Sequence, residues 1–442
     1  MGVKDSFIGK LLGNSNEFSQ EQVDQTINLL LEHGLKRGAS SIHIEPHGQL
    51  IWVRYRIHGA LHGLHKLPAD ALIPLVSTLR RKANLPADAI MPQEGSFTDT
   101  ISDTELTIRV NTMRVVNGER AVLHFSPLTV QRSHTPTNLA DLGFWGANLD
   151  LINKTLAHIH GLVLINGTRH SHRTASLYAL LHVLRTAAIS IGTIEETIER
   201  HIPGVSQTKV AAHDALSYEG ALRAALRQDM NAVMLANLPT KTVADEAVYA
   251  ATNGHLIMAG LHSDTAAKGI LHLRHMGIEP YMLAAALRLS IGLQSVRKLC
   301  PACRERSALT KEQAGHLEQL FGMTTVTTRK RVHLLEQKAL KAGIGIDLPL
   351  SSSTTHLTYH WQASPNGCEH CHHTGYDGTV SLVEIFPGGE YLYSTLTAKT
   401  TAADLHAAAL QQGFIPLALD GMIKALRGET TLAEVVHEAS LG

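Results

Sequence analysis

Apolar residues recur at helical spacing over residues 20–38, where Val23, Ile27, Leu30, Leu31 and Leu35 share one face. The pattern then turns strand-like in SIHIEP, LIWVRYRIHG, ELTIRVNTM and RAVLHF, interrupted by a second helical stretch around Ala71 to Lys82. These elements predict a small α+β domain over residues 20–128, preceded by a leader at 1–19. The Ser/Thr/Pro-rich stretch QRSHTPTNLADLG reads as part of a linker over 129–145.

From residue 146 the pattern becomes an alternation of strands and helices. VLING, SIGTIE, NAVMLANL and HLIMAGL read as buried strands, and TASLYALLHVL, YEGALRAAL, VADEAVYAAT and TAAKGILHL as helices. Short apolar runs separated by helices predict an α/β core over 146–299, with a parallel sheet covered on both faces. Ligands bind such sheets at the carboxyl ends of the strands. Two cysteine pairs bracket residues 300–371, which contain the polar run SSSTTH, and helical patterns dominate 372–442.

Composition narrows the function. Lys+Arg and Asp+Glu both number 39, so the chain carries no global basic field and nucleic acid is not an expected partner. No apolar run approaches the ~18–20 residues of a membrane span, and the N-terminus lacks the apolar core of a secretion signal. Cytoplasm is the expected compartment. There the pairs Cys300-x-x-Cys303 and Cys368-x-x-Cys371 favour a metal over disulfides, and four thiolates satisfy tetrahedral zinc with no open position. Such a closed site is structural. Most of the 28 histidines carry no ligand spacing and read as solvated or interface groups.

The stretch LVLINGTRHSHRTASLYALL (162–181) has the layout of a phosphate loop between strand and helix: an apolar run, Gly167, a polar loop, Thr174 and a helical segment. The pattern G-x-x-x-x-G-K-[ST] would place glycine at His172 and lysine at Arg173. Glycines in such loops let successive backbone N–H groups turn inward around phosphate oxygens. Imidazoles there are expected to crowd the phosphate space. Arg173 keeps the positive charge in a bulkier, planar form, and Thr174 keeps the hydroxyl that would touch Mg²⁺.

Taken in order, residues 20–442 resemble the hexameric secretion ATPases of type II secretion and type IV pilus assembly. SSIHIEP (40–46), YRIHGALH (55–62) and MPQEGSF (91–97) resemble the family's N-terminal domain. GTIEETIERHIPGVSQ (192–207) resembles its acidic box, ALRQDMNAVMLANL (225–238) its Walker B region, and ATNGHLIMAGLHSDTAA (251–267) its His box. MGIEPYML (276–283), LCPAC (299–303) and CEHCHHTGYDG (368–378) complete the series. The resemblance implies a RecA-like P-loop NTPase core, a PAS-like N-terminal domain and a tetracysteine zinc subdomain. It also implies a hexameric ring, an inner-membrane platform protein as partner, and a peripheral place at the inner membrane through such partners. Too few residues precede Ser40 to hold the further docking domain of the family's long chains.

Residue by residue, the resemblance implies ATP and Mg²⁺ contacts at Gly167, Ser171, Arg173 and Thr174, with Arg109 and Arg120 reaching in from the N-terminal domain. Glu195, Glu199, His255 and His262 match retained acidic-box and His-box positions. Other positions depart: His170 and His172 stand for glycines, Arg173 for lysine, and Asn237 for the glutamate that polarises the attacking water. Asn231, Pro239, Ser96, His124, Glu196 and Thr197 also differ from the pattern. Phosphoryl transfer depends on positioning and electrostatics, so losing both the lysine and the glutamate removes several kcal/mol of transition-state stabilisation, each ~1.4 kcal/mol being tenfold in rate. The expectation is a hydrolytically inactive family member serving as a structural or regulatory subunit, in its own ring or in one shared with an intact paralogue. The alternative is a weak ATPase in which Arg173 stands in for lysine.

Overall fold

The computed structural model describes residues 19–57, 59–87, 91–101, 104–127, 138–168, 171–185, 188–210, 216–321, 330, 334–335, 337, 359–396, 399–410 and 414–439. The expected leader, save Ser19, the first part of the linker, and the SSSTTH run lie outside them. The chain divides into two compact units, Met1–Thr135 with Glu199–His201, and Pro136–Ile198 with Ile202–Gly442.

In the first unit, helix α1 (Gln20–Lys36) begins at a capping box. The Ser19 hydroxyl accepts the Gln22 N–H, and the Gln22 side chain accepts the Ser19 N–H. Strands β1 (Ala39–His47), β2 (Leu50–Ile57) and β3 (Ala60–Pro68) precede helix α2 (Leu72–Lys82), and β4 (Gln93–Ile101), β5 (Thr104–Val115) and β6 (Gly118–Pro127) follow it. They form one antiparallel sheet in the order β3-β2-β1-β6-β5-β4. Ile51, Val53, Tyr55 and Ile57 alternate along β2 and share a buried cluster with Val23, Ile27, Leu30 and Leu31 of α1. β3 and β4 were not anticipated. Gly63 and two histidines interrupt the one, and Phe97 is nearly the only apolar residue of the other.

The second unit opens with α3 (Gly146–Leu156), β7 (Gly161–Gly167), α4 (Arg173–Leu184), β8 (Ile191–Glu195) and β9 (Ser206–Lys209). It continues through α5 (Tyr218–Arg227), β10 (Ala232–Leu235), α6 (Lys241–Thr252), β11 (Leu256–Leu261), α7 (Ala266–His275), α8 (Pro280–Ala286) and β12 (Leu287–Leu299). Then come β13 (Glu305–Ala308), α9 (Lys311–Leu320), β14 (Tyr359–Gln362), β15 (Tyr376–Pro387), α10 (Tyr391–Thr395), α11 (Ala402–Leu410), α12 (Leu417–Leu426) and α13 (Leu432–Ala439). The main sheet runs β15-β12-β7-β11-β10-β8-β9, parallel throughout except for the antiparallel edge strand β15. Both of its faces are covered. Leu162 and Leu164 of β7 enter one buried layer, while Val163 and Ile165 enter the other.

The four strands read from sequence are β7, β8, β10 and β11. β12 and β15 extend the sheet on the far side of β7, so the stretch expected to be helical after residue 372 begins with a twelve-residue strand. β13 and β14 form a separate two-stranded ladder between the cysteine pairs. The turn from β7 into α4 lies at the carboxyl end of a strand flanked on both sides, where an α/β sheet opens to ligand.

Candidate nucleotide and metal sites

β7 ends at Gly167 because the loop folds back on it: a Cβ there would fall 2.0 Å from the Ser171 hydroxyl. Ser171 is buried, and its N–H donates to the Thr168 carbonyl at 3.3 Å. His170 lies outside the described residues. His172 adopts the left-handed conformation, φ 61 and ψ 20, and its carbonyl accepts the Ser176 N–H at 2.8 Å to begin α4. The backbone there takes a shape that glycine adopts freely and histidine rarely does.

The His172 ring leaves the loop. Its Nδ1 lies 2.9 Å from Ser381 Oγ and its Nε2 3.0 Å from Thr379 Oγ1, both on β15. This corrects the expectation that the His172 imidazole crowds the phosphate space: hydroxyls on the edge strand hold it. The turn has a second consequence. Ser217, Thr240 and Thr265 cap α5, α6 and α7 through their side chains, whereas the His172 side chain does not cap α4. The dipole of α4 favours negative charge at this end.

Arg173 and Thr174, both half-buried, are the first residues of α4. Arg173 Nε lies 3.2 Å from the point a Cβ on Gly260 would occupy, and the Ala236 carbonyl lies 2.4 Å from that point. The missing side chain at 260 therefore makes room for the guanidinium against the ends of β10 and β11. Asn237 follows β10. Its Oδ1 accepts the N–H of the next residue, Leu238, at 3.0 Å, so a neutral amide turned to backbone stands at this strand end. Asn231 accepts the Ser190 N–H at 2.8 Å and ties the start of β10 to the segment leading into β8.

Glu195, at the end of β8, is fully buried. It accepts from the Tyr178 hydroxyl at 2.5 Å, the Thr193 hydroxyl at 2.6 Å and the Gln207 amide at 3.4 Å. Donors from α4, β8 and β9 thus converge on one acid. Burial raises the Tyr218 phenol, the Glu196 and Glu195 charges raise it further, and Arg173 opposes them. Tyr178 and Tyr218 escaped the sequence reading; the only signal was a phenol inside a buried pattern, which requires a polar partner. Glu199 and His262 are exposed, and His255 Nδ1 lies 2.9 Å from the Met230 carbonyl.

The four cysteines come together. Sγ–Sγ separations are 3.8 Å for Cys300–Cys368, Cys303–Cys371 and Cys368–Cys371, and the four sulfurs lie within 4.8 Å of one another. Zinc–sulfur bonds of ~2.3 Å in a tetrahedron require edges of about 3.8 Å, whereas a disulfide requires ~2.05 Å. The donor set therefore fits zinc. Cys371 Sγ accepts the Cys368 and Gly375 N–H groups, each at 3.2 Å. Burial resists ionisation of Cys371, but those donors and the neighbouring thiols outweigh it and draw the group to about 6, toward the thiolate that ligates metal.

Residues 16–437 match the family described as Type II/IV secretion system protein. The chain belongs to that family. It is 31% identical over 408 residues to the Protein transport protein HofB homolog of Escherichia coli strain K12, covering 92% of this chain and 79% of that one. It is 30% identical over 415 residues to the Type II secretion system protein E of Aeromonas hydrophila, covering 93% and 74%. With the Type IV pilus assembly ATPase TfpB of Acinetobacter baylyi it shares 28% over 432 residues, covering 97% and 67%. The Legionella pneumophila ATPase DotB has the same fold, with a TM-score of 0.62 at 16% identity over 98% of this chain and 99% of that one.

Against the secretion-family expectations, the second unit gathers Gly167, Ser171, Arg173 and Thr174 around the β7–α4 turn. Arg109, Arg120 and Glu199 belong to the first unit. There Arg120 lies 2.7 Å from Glu45 and 3.2 Å from His43 Nδ1, and Arg109 lies 3.4 Å from Glu94. Among the described residues, no helix is long and apolar enough to cross a membrane.

Proposed function

We propose that this secretion-family chain is a hydrolytically inactive subunit of a type II secretion or type IV pilus assembly machine, which holds nucleotide phosphate without turning it over. The observation that carries the reading is Asn237. An amide spent on its own backbone supplies neither the negative charge nor the basicity that polarises an attacking water. Arg173 adds to it, since its guanidinium occupies the gap at Gly260. What persists is binding equipment: the α4 N-terminus, the left-handed turn at His172 and the Thr174 hydroxyl. Mg²⁺ and ATP, when bound there, contribute shape and charge that a ring subunit can sense. Relatives named as secretion protein E and pilus assembly ATPase support a place in such a machine, and the chain would act there within a hexamer, alone or with an intact paralogue. An inner-membrane platform protein would be the partner of that hexamer, and the cytoplasmic face of the membrane its location. Cys300, Cys303, Cys368 and Cys371 would hold one structural zinc.

The test is phosphate release from Mg·ATP by the purified chain, beside a variant carrying His170→Gly, His172→Gly, Arg173→Lys and Asn237→Glu. Turnover far below ~1 s⁻¹ is expected for the natural chain, with a rise of at least about tenfold in the variant. An ordinary rate from the natural chain would make it an active ATPase in which Arg173 replaces lysine. The proposal would then fall.

A further inference from the structure

We infer that His172, Thr379 and Ser381 form a clasp through which edge strand β15 sets the shape of the phosphate loop. The inference rests on the reading that this loop holds nucleotide phosphate. Three observations carry it. A left-handed backbone presses Cβ toward the following carbonyl, so histidine at φ 61 needs something to hold it. Both ring nitrogens are taken, at 2.9 and 3.0 Å, by hydroxyls two residues apart on one face of β15. A hydroxyl can donate or accept, so the pair satisfies either tautomer of the imidazole.

The strand is in turn anchored. The Ser381 carbonyl accepts from Lys424 Nζ at 2.5 Å, and Lys424 pairs with Asp420 at 2.6 Å. Asp420 also accepts the Trp145 indole N–H at 2.6 Å and the Val383 N–H at 2.8 Å. Ser381, Asp420 and Lys424 are all buried, so the hydroxyl that meets Nδ1 cannot drift. The clasp does by side-chain bonding what glycine does by lacking a side chain. It stabilises the left-handed turn and draws the ring out of the loop. His172, Thr379 and Ser381 are positioning residues; none is assigned to the phosphate itself.

A double-mutant cycle tests the clasp. Thr379→Val with Ser381→Ala is placed in the natural chain and in His172→Gly, and two quantities are read: anisotropy of fluorescent ADP, and hydrogen exchange of residues 171–176. In the natural chain the pair should weaken ADP roughly three- to tenfold and speed exchange, as expected for two lost hydrogen bonds. In the His172→Gly background the pair should change neither by more than about twofold, because glycine holds φ > 0 unaided. Thr379→Ser, which keeps the hydroxyl, should behave as the natural chain does. Equal losses in both backgrounds, or no loss in the natural chain, would overturn the clasp. If the double variant fails to fold, Thr379→Val alone carries the same cycle. Should no variant bind ADP, the nucleotide reading fails and the exchange cycle decides the clasp by itself.

Discussion

At the scale of residues, His43 on β1 shows what a neighbourhood does to one ring. Arg120 donates to its Nδ1 at 3.2 Å, so that nitrogen carries a lone pair, and Nε2 lies 3.1 Å from the Ser41 hydroxyl. Burial draws its pKa from 6.5 to about 4, with Glu45 opposing and Arg120, Arg56 and His124 assisting. Below about pH 6.5 the unfolded chain therefore takes up a proton that the folded chain refuses. Stability of the N-terminal unit should fall as pH drops from about 6.5 toward 4, by on the order of 1–3 kcal/mol. Urea unfolding tracked by exchange of β1 and β6 would measure it, and His43→Gln should flatten the slope; an unchanged slope in that variant would sink the idea. Gly167 is the counterpart in the loop. In Gly167→Ala the new methyl meets a buried serine, so a loss of about 1–3 kcal/mol and weaker ADP binding are expected, and wild-type melting and affinity would refute the packing reading. The identities of Arg173, His172 and Asn237 were plain in the chain. Their directions were not, because Ser381 lies more than two hundred residues from His172.

At the scale of elements, β7, β8, β10 and β11 were legible because a strand covered on both faces is a nearly unbroken apolar run. β15 was not, although Val380 to Phe386 are all buried. Ser381 and Glu384 break its pattern, and each is explained only by distant partners: Glu384 accepts the Ala266 N–H at 2.7 Å, at the start of α7. Lys424 and Asp420 were equally unreadable, since charges within an apolar helix look like a solvated face. Burial pushes the Asp420 carboxyl up, and the Lys424 ammonium opposes that push. Lys424→Met removes the opposing charge and strands a buried acid. The expected loss is roughly 3–5 kcal/mol in denaturant unfolding of the second unit. Asp420→Asn with Lys424→Met should recover part of that loss, because no unpaired charge then remains. A Lys424→Met chain within about 1 kcal/mol of the natural one would show that the pair anchors nothing.

At the scale of the whole molecule, the cysteine spacing pointed to four thiolates able to hold a metal, but not to what such a site would join. Cys300 follows directly on β12, and Cys371 lies five residues before β15, whose Tyr376 is in register with Leu299. The tetracysteine cluster therefore closes the end of the antiparallel β12–β15 pair, and the expected boundary at 371/372 separates strands that the sheet unites. Arg297 stacks on Tyr376 with its guanidinium 4.1 Å from the ring centre, and binds Glu434 of α13 at 2.5 Å, so the same end also holds the last helix. Metal affinity at such a site is folding free energy, because the unfolded chain cannot preassemble four thiolates from two distant pairs. One zinc per chain is expected by mass spectrometry under native conditions. Stripping it with a chelator, or substituting Cys368→Ser, should lower the melting temperature by more than about 5 °C. Exchange should rise first in β15 and α13, while β7, β10 and β11 stay protected. Because β15 carries Thr379 and Ser381, loosening should spread next to residues 171–176, and a metal-free chain that keeps that loop protected would place the cluster outside the path from sheet edge to the β7–α4 turn.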